Sequence, residues 1–275
     1  MQTPFERLTS AEHLLLNELI ETRFGLSFGE EKRALLEGRL RPRLLSLGLR
    51  KFIDYYLLLK FDFESEATQL AHLLTNNESY FFRETYQFES LFADGPELLA
   101  GNGSPAWKIL CAGCSSGEEA FTLNIFARES GRIDTTVDAF DLDTDRVRTA
   151  LQAQFGRSSL RALDESAVNE IFRPQVGDLH ELRPRFREGT SFTAGNILNL
   201  RTYPTQGPYD VLFCRNVLIY FSERALLTAI QNFAEMLRPG GLLFLGHSES
   251  IIGLTDLFET VRLSSCIAYR KVEEK

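Results

Sequence analysis

Two glycines and two glutamates lie close together in residues 108–122, Lys-Ile-Leu-Cys-Ala-Gly-Cys-Ser-Ser-Gly-Glu-Glu-Ala-Phe-Thr. The apolar residues before Gly113 predict a buried strand, and the residues after Gly117 predict a helix whose positive end suits Glu118 and Glu119. Glycine at 113 and 117 lets the backbone turn sharply beside a ligand. The carboxylates would repel a pyrophosphate and suit a ligand with hydroxyls and a positive charge, so S-adenosylmethionine fits better than a dinucleotide. Because a full G-x-G-x-x-G is missing, an ordinary structural turn is the other interpretation.

Polar residues also follow the other predicted strands of the C-terminal segment. Asp141 ends the second strand, 24 residues after Gly117, which is close to the offset of about 20 residues for an acid that binds ribose hydroxyls. Asp143 is either a second such acid or a helix cap. His247 could be a base or, as a lone histidine, a structural group. The remaining polar residues at predicted strand ends are Asn196, Arg215, Asn216 and Tyr220.

The elements that must position these residues alternate between strand and helix. Such alternation predicts an α/β fold with a doubly wound parallel sheet that binds its ligand at the carboxyl ends of the strands. Residues 173–190 interrupt the alternation and predict a small antiparallel β insertion. The predicted strands are 109–111, 137–141, 191–194, 211–214, 242–245, 258–261 and 265–270, and the helices are 118–129, 144–154 and 223–237, with a turn at 239–241.

The N-terminal segment predicts an all-α domain over residues 1–92, joined by a linker at 93–106 to a second domain at 107–275. Helical periodicity covers residues 8–20, 30–47, 52–59 and 66–74. The second helix is basic, with Lys32, Arg39 and Arg43 on one face opposite a leucine stripe. This face is either simply solvated or a docking surface for an acidic partner helix. Pro42 predicts a kink or break in that helix.

Composition excludes several classes of function. The net charge of −8 over 275 residues argues against binding nucleic acid. No apolar run reaches the roughly 18 residues that a membrane span needs, so no membrane insertion is expected. The four cysteines are few and lie in apolar segments, which favours a reducing, cytoplasmic location. Cys111 and Cys114 form a C-x-x-C pair, but a zinc site needs two further ligands and the histidines are scattered, so no metal is expected.

Six motifs in order resemble the chemotaxis receptor methyltransferase (CheR) family, and the resemblance covers nearly the whole chain. Single short motifs are weak, but six at sensible spacing are strong. The motifs are Leu40-Arg-Pro-Arg-Leu-Leu-Ser-Leu-Gly-Leu49, Asn77-Glu-Ser-Tyr-Phe-Phe-Arg-Glu84, Cys114-Ser-Ser-Gly-Glu-Glu119, Phe140-Asp-Leu-Asp143, Phe213-Cys-Arg-Asn-Val-Leu-Ile-Tyr-Phe221 and Gly246-His-Ser-Glu249.

The resemblance implies a Rossmann-like S-adenosylmethionine-dependent methyltransferase domain behind the all-α domain. It implies methyl transfer to glutamate carboxylates on the cytoplasmic helices of a chemoreceptor, with S-adenosylhomocysteine as the product. Arg83 and Tyr220 would act near the transferred methyl, and Lys32, Arg39 and Arg43 would dock the substrate. The implied cofactor contacts are Asn77, Ser79, Arg83, Glu118, Asp141, Asn196, Ile197, Arg215 and Asn216.

Two features depart from the family pattern, Pro42 in the basic helix and a short stretch in the β insertion. The stretch Pro174-Gln-Val-Gly-Asp178 lacks the longer Gly-Pro-containing loop of members that tether to a receptor's C-terminal peptide, so no tether is expected. The alternatives are a methyltransferase acting on another protein or a small molecule, and a cofactor-sensing module without turnover. A nicotinamide oxidoreductase is disfavoured by the missing third glycine and the acids at 118 and 119.

Overall fold

A computed structural model of the chain describes residues 6–99, 106–199 and 207–273 and divides the chain into two compact units. The first unit contains residues 1–76 and 220–226, and the second contains 77–219 and 227–275.

The first unit is helical, as predicted. Thr9 caps the first helix: its hydroxyl accepts the N–H of Glu12, while the Glu12 carboxylate accepts the N–H of Thr9, so that a capping box closes the helix start. Gly25 ends the same helix at a φ of 78°. The helices are α1 (Ser10–Phe24), α2 (Arg33–Ser46, preceded by a 3-10 turn at Glu30–Lys32), α3 (Phe52–Phe61) and α4 (Phe63–Leu74).

Helix α2 runs through Pro42 without a break, so the break that the sequence predicted at Pro42 is wrong. Proline removes the hydrogen bond to the carbonyl of the residue four positions earlier, here Gly38. Both Pro42 and Gly38 are exposed, so water can take the place of the missing donor. The opposite face is held by burial, since Leu36, Leu40 and Leu44 are completely buried.

The predicted basic face of α2 is only partly available to a partner. Arg43 donates through Nε and Nη2 to the two carboxylate oxygens of Glu66 on α4, at 2.9 and 2.5 Å. Tyr55 donates to the same carboxylate at 3.1 Å. Arg39 donates to the carbonyl of Leu74 and lies 5.7 Å from the Phe28 ring centroid. Lys32 makes no side-chain hydrogen bond or ion pair within the described ranges, so it is the most available of the three cations.

The second unit is built on a seven-stranded sheet. Its order is β6-β2-β1-β7-β8-β10-β9; the first five strands are parallel, and β10 and β9 are antiparallel. Residues 239–241, predicted as a turn, lie inside β8, where the pairing with β7 is irregular. The strands are β1 (Lys108–Ala112), β2 (Thr136–Asp141), β6 (Thr190–Ala194), β7 (Tyr209–Cys214), β8 (Leu237–Leu245), β9 (Phe258–Arg262) and β10 (Ile267–Lys271).

Helix α5 (Thr85–Leu98) corrects the predicted linker and domain boundary. Phe88 and Leu91 on this helix are buried in the core of the second unit, where Phe88 stacks on Phe213 of β7 at 5.4 Å. Residues 85–92 thus do not belong to the first domain, and 93–98 are not linker; residues 100–105 lie outside the described ranges. The apolar face of α5 outweighs the helix-breaking Pro96, which lies in the last turn. The other helices are α6 (Glu118–Glu129), α7 (Thr144–Gln152), α8 (Glu165–Ile171) and α9 (Glu223–Met236).

A small antiparallel sheet of three strands forms as predicted, but over different residues. Its order is β3-β5-β4, with β3 at Gln154–Phe155, β4 at Phe172–Pro174 and β5 at His180–Leu182. The predicted bounds of 173–190 are therefore wrong at both ends, because β3 precedes α8 and residues 184–186 form a 3-10 turn. The chain between β4 and β5 is only five residues long, 175–179.

The four cysteines are free, and three of them, Cys111, Cys114 and Cys214, are buried in the second unit. Burial raises the pKa of each of these three thiols well above its ordinary value, so they behave as small apolar groups. Among the helices of the described ranges, none has the length and apolarity that a membrane crossing requires.

We expect the Arg43–Glu66 pair to stabilise the first unit more than any exposed pair. Glu66→Ala leaves Arg43 and Tyr55 without their acceptor and should lower the free energy of unfolding by about 3 kcal/mol, measured by urea denaturation. Lys51→Ala, which removes a half-exposed pair with Glu6, is the matched control and should cost less than about 1 kcal/mol. Equal effects of the two substitutions would contradict this account.

Candidate functional site

The predicted ligand edge of the sheet exists. The parallel strands β6, β2, β1, β7 and β8 run in the same direction, so their carboxyl ends lead to the same edge. Strand β1 pairs with β2 on one side and with β7 on the other. The chain adds strands on one side of β1 first and on the other side later, so the strand order reverses between β1 and β7. Such a switch point opens a crevice that binds ligands in doubly wound proteins.

The glycine turn after β1 is fixed by backbone hydrogen bonds and by packing. The N–H groups of Gly113 and Cys114 both donate to the carbonyl of Phe140 at the end of β2, at 2.9 and 3.0 Å. Gly113 has a φ of 78°, and a Cβ there would lie 2.5 Å from Cγ2 of Val217. Glycine is therefore required at 113 both by the backbone conformation and by the approach of the chain that follows β7.

Asp141 lies beside this turn, at the end of β2. Its two oxygens accept the N–H groups of Ser115 at 2.7 Å and Asp143 at 2.8 Å. Burial raises the pKa of the Asp141 carboxyl to about 6, although the two backbone hydrogen bonds act in the opposite direction. The site thus holds a carboxylate that is ionised at neutral pH and retains lone pairs for a hydroxyl donor.

Asp143 is a helix cap, the second of the two roles considered for it. One of its oxygens accepts the N–H groups of Asp145 and Arg146 at the start of α7. The other accepts the side-chain amide of Asn77 at 2.9 Å. This bond brings the predicted cofactor residue Asn77 to the sheet edge beside Asp141, and Ser79 follows two residues later with a half-buried side chain.

Glu118 has the feature that best indicates a ligand. The residue is only 1% exposed, and its Oε1 accepts the hydroxyls of Ser159 at 2.8 Å and Ser116 at 3.3 Å. Its other oxygen, Oε2, is buried and has no hydrogen-bond partner among the described residues. Buried polar atoms are rarely left unpaired. An orphaned carboxylate oxygen near Asp141 fits a ligand that brings hydroxyls and a positive charge, as S-adenosylmethionine does.

Arg215, a predicted cofactor contact, has its guanidinium engaged by the protein. The side chain is 1% exposed and donates to Glu119 Oε2 at 2.9 Å and to the Arg83 carbonyl at 2.7 Å. It also lies 3.1 Å from Glu84 Oε2. Burial raises the pKa of Glu119 despite Arg215, whereas Arg215 and His247 outweigh burial and lower the pKa of Glu84. The three contacts of Arg215 are made by Nη1 and Nη2, and the buried Nε has no hydrogen-bond partner among the described residues.

Arg83 is placed differently, and its side chain is 29% exposed. Its Nη1 donates to the Glu78 carbonyl at 3.2 Å, and its Nε lies 4.0 Å from Glu84 Oε1. Phe81, two residues earlier, is completely buried and packs against Phe155. A guanidinium has five N–H donors, so these contacts leave donors for a carboxylate.

Asn196, Ile197 and Tyr220 each make a hydrogen bond within the protein. Asn196 caps its own turn by accepting the N–H of Leu198 at 2.9 Å, and the Ile197 carbonyl accepts the amide of Asn232 at 2.7 Å. Tyr220 belongs to the first unit, where its hydroxyl accepts the Asn76 amide at 2.7 Å.

His247, the candidate base, is 61% exposed, and its Nδ1 lies within hydrogen-bond distance of Glu84 Oε1, at 2.9 Å.

Sequence reasoning gave no role in the site to Glu84, Ser159 or Glu249, and it did not predict that Glu119 pairs with Arg215. Glu84 and Glu119 bind Arg215, Ser159 binds Glu118, and Glu249 binds the chain after β7. The sequence does contain a signal for Glu249, since this residue lies three positions after Gly246, the glycine that follows strand β8. No sequence signal marks Ser159, because it reaches the site from a segment 41 residues from Glu118.

Two family models match this chain, and known proteins are similar to it over most of its length. A family model described as "CheR methyltransferase, SAM binding domain" matches residues 77–267, and one described as "CheR methyltransferase, all-alpha domain" matches 12–75. The "Chemotaxis protein methyltransferase 2" of Vibrio cholerae is 32% identical and aligns over 96% of this chain and 94% of its own length. The "Chemotaxis protein methyltransferase" of Escherichia coli is 31% identical over 96% and 92%. A magnesium protoporphyrin IX methyltransferase structure from Synechocystis aligns over 76% and 82% at 15% identity, with a TM-score of 0.38.

We expect the affinity for S-adenosylhomocysteine to depend on the charge of Asp141. With a pKa of about 6, the carboxyl is ionised at pH 7.5 and mostly protonated at pH 5.0, so the dissociation constant should rise about tenfold between them. Calorimetric titration at both pH values measures this rise, and Asp141→Asn should bind weakly with a flat profile.

The fold itself should survive the change of pH at this residue. Because the folded pKa lies above the unfolded value of 3.8, the ionised carboxyl destabilises the fold above pH 6, and that cost disappears as the pH falls. Circular dichroism at pH 5.0 and 7.5 is the control. A wild-type affinity that does not change with pH would overturn the role of Asp141.

Proposed function

We propose, from the premise that this chain belongs to the CheR methyltransferase family, that its methyl acceptor is a glutamate side chain on the cytoplasmic helices of a chemoreceptor. The family brings a methyltransferase activity and S-adenosylmethionine as the cofactor. The observation that best supports the acceptor is the half-exposed Arg83, which lies in the same segment as Asn77 beside a buried acidic site.

A glutamate carboxylate needs no base to become a nucleophile. Its unperturbed pKa is about 4.3, so at neutral pH it is already ionised. When bound, the cofactor supplies an electrophilic methyl on its sulfonium. The protein's work is then to hold the acceptor close and in line and to limit the cost of removing its water. The proposed reaction uses no histidine as a base, and His247 contacts Glu84 instead.

The buried acids would hold the cofactor. Asp141 would accept ribose hydroxyls, and the orphaned oxygen of Glu118 would accept a donor from the ligand. The backbone of Arg215 and Asn216 would line the crevice after β7. The other residues that we propose to contact the cofactor are Asn77, Ser79, Arg83, Asn196 and Ile197.

Arg83 and Tyr220 would act on the reacting groups. Arg83 would orient the acceptor carboxylate with paired hydrogen bonds. Its partial exposure and loose internal contacts suit positioning rather than a tight grip, which would stabilise the ground state and slow transfer. Tyr220 would supply one hydrogen bond and an aromatic wall for a sulfonium.

Lys32 would lead the docking of the substrate helix, helped by the exposed parts of Arg39 and Arg43. The receptors that this family methylates have Glu-rich helices in their methylation regions. Charge complementarity would steer such a helix to the basic face of α2. The short 175–179 connection favours action without a tether to a receptor's C-terminal peptide. Other protein or small-molecule acceptors, or binding without turnover, are outcomes that an assay with labelled cofactor would reveal.

We expect Arg83→Lys to lower kcat for a receptor cytoplasmic fragment by about 10- to 100-fold, because an ammonium cannot make paired hydrogen bonds to a carboxylate. Transfer of a radiolabelled methyl group measures the rate. Arg148→Lys, on the exposed face of α7, is the matched control and should change nothing. An unchanged rate for Arg83→Lys would remove Arg83 from the reaction.

We expect Lys32→Glu to raise KM for the receptor fragment about tenfold and leave kcat and the affinity for S-adenosylhomocysteine unchanged. Charge reversal turns attraction of a Glu-rich helix into repulsion, and the effect should shrink at high salt. Lys60→Glu, an exposed lysine on α3, is the control. Equal effects of the two variants would mean that α2 offers no special docking face.

A further inference from the structure

The carboxylate of Glu249 closes the connection that follows β7. Its Oε2 accepts the N–H groups of Gly246 at 2.7 Å and Asn216 at 2.8 Å. Its Oε1 accepts those of Val217 at 2.9 Å and Ile219 at 3.2 Å. A carboxylate offers about four lone-pair sites, so all of its acceptor capacity is used on backbone N–H groups. Three of these four donors belong to residues 216–219, here called the β7 loop.

The β7 loop needs such an anchor because its backbone is strained and it has little regular structure. Asn216 has a φ of 58°, a left-handed conformation that is costly for a residue other than glycine. The N–H groups of Asn216 and Val217 point to one carboxylate rather than to a neighbouring strand. Without Glu249 these two donors and that of Ile219 would have to find water or stay unpaired.

The loop also supports the cofactor turn. A Cβ on Gly113 would lie 2.5 Å from Cγ2 of Val217, so the β7 loop is in close contact with the glycine turn after β1. Asn216 follows directly after Arg215, whose side chain binds Glu119 on α6. A shift of the β7 loop would therefore disturb both the crevice after β7 and the turn after β1.

We propose that Glu249 is a positioning residue for methyl transfer, which holds the β7 loop in the conformation that the cofactor site requires. This inference rests on the proposed function, since that function places the backbone of Asn216 at the cofactor. Glu249 acts through Asn216 and Val217 and does not itself touch the reacting groups.

The substitution Glu249→Gln tests the charge and acceptor count at nearly constant volume. An amide has one acceptor oxygen, and its NH₂ group would face N–H donors where the carboxylate oxygen had been. Hydrogen bonds to a charged group are stronger than those between neutral groups, so their loss should open the loop locally. Glu259→Gln, an exposed carboxylate on β9 that pairs with Arg270, is the matched control.

Amide hydrogen exchange reads the loop directly and does not depend on any activity. In Glu249→Gln the exchange of the N–H groups of residues 216, 217, 219 and 246 should become at least tenfold faster, whereas the amides of β7 and β1 stay protected. The control variant should match the wild type. Unchanged exchange at the four amides would overturn the inference, and so would loss of protection throughout the sheet, because that would make Glu249 a general structural residue.

Binding and kinetics then test the consequence for the reaction. The dissociation constant for S-adenosylhomocysteine should rise and kcat should fall, each about tenfold or more, while KM for the receptor fragment stays the same. A loop that opens with normal affinity and kcat would overturn the positioning role. A wild-type protein that does not bind S-adenosylhomocysteine would instead contradict the proposed function, and exchange alone would then decide whether Glu249 holds the loop.

Discussion

Carboxylates that accept backbone N–H groups, the buried Asp141 and Asp143 and the half-buried Glu249, hold the carboxyl edge of the sheet together. Asp141 ties the glycine turn after β1 to the start of α7, and Asp143 caps that helix. Glu249 does the same for the β7 loop on the other side of β1. The N–H groups of Ser115, Asn216 and Val217 do not pair with a neighbouring strand, so the loops after β1 and β7 depend on carboxylates that accept more than one donor.

This solution has an electrostatic cost. Burial in a low dielectric disfavours the charged form, and the raised pKa of Asp141 and Glu119 shows that the cost is only partly offset. Arg215 provides the largest local compensation, because a single guanidinium serves Glu84 and Glu119 together. Arg215 therefore stabilises the acidic edge from inside, and its buried Nε has no hydrogen-bond partner among the described residues.

Local chemistry could be predicted from the sequence where a short pattern determines it. The glycine turn, the capping box at Thr9, the cap at Asp143 and the strands around them follow from residues a few positions apart. The sequence could not show that Arg43 binds Glu66 or that Arg215 binds Glu119, because those partners are 23 and 96 residues away. The same holds for α5, where helix-breaking Gly and Pro masked a face that tertiary packing makes helical.

The charges of the second unit explain why a separate basic surface would be useful. An acidic substrate that approached Glu84, Glu118, Glu119 and Asp141 would be repelled, and Arg83 alone offers limited compensation at the exposed end of this group. In the proposed function, affinity for the substrate would come from the basic face of α2, so that the substrate could bind without a tight grip on its carboxylate. Docking and chemistry would then be assigned to different residues: Arg83 would orient the acceptor, while Lys32 and its neighbours would supply the attraction.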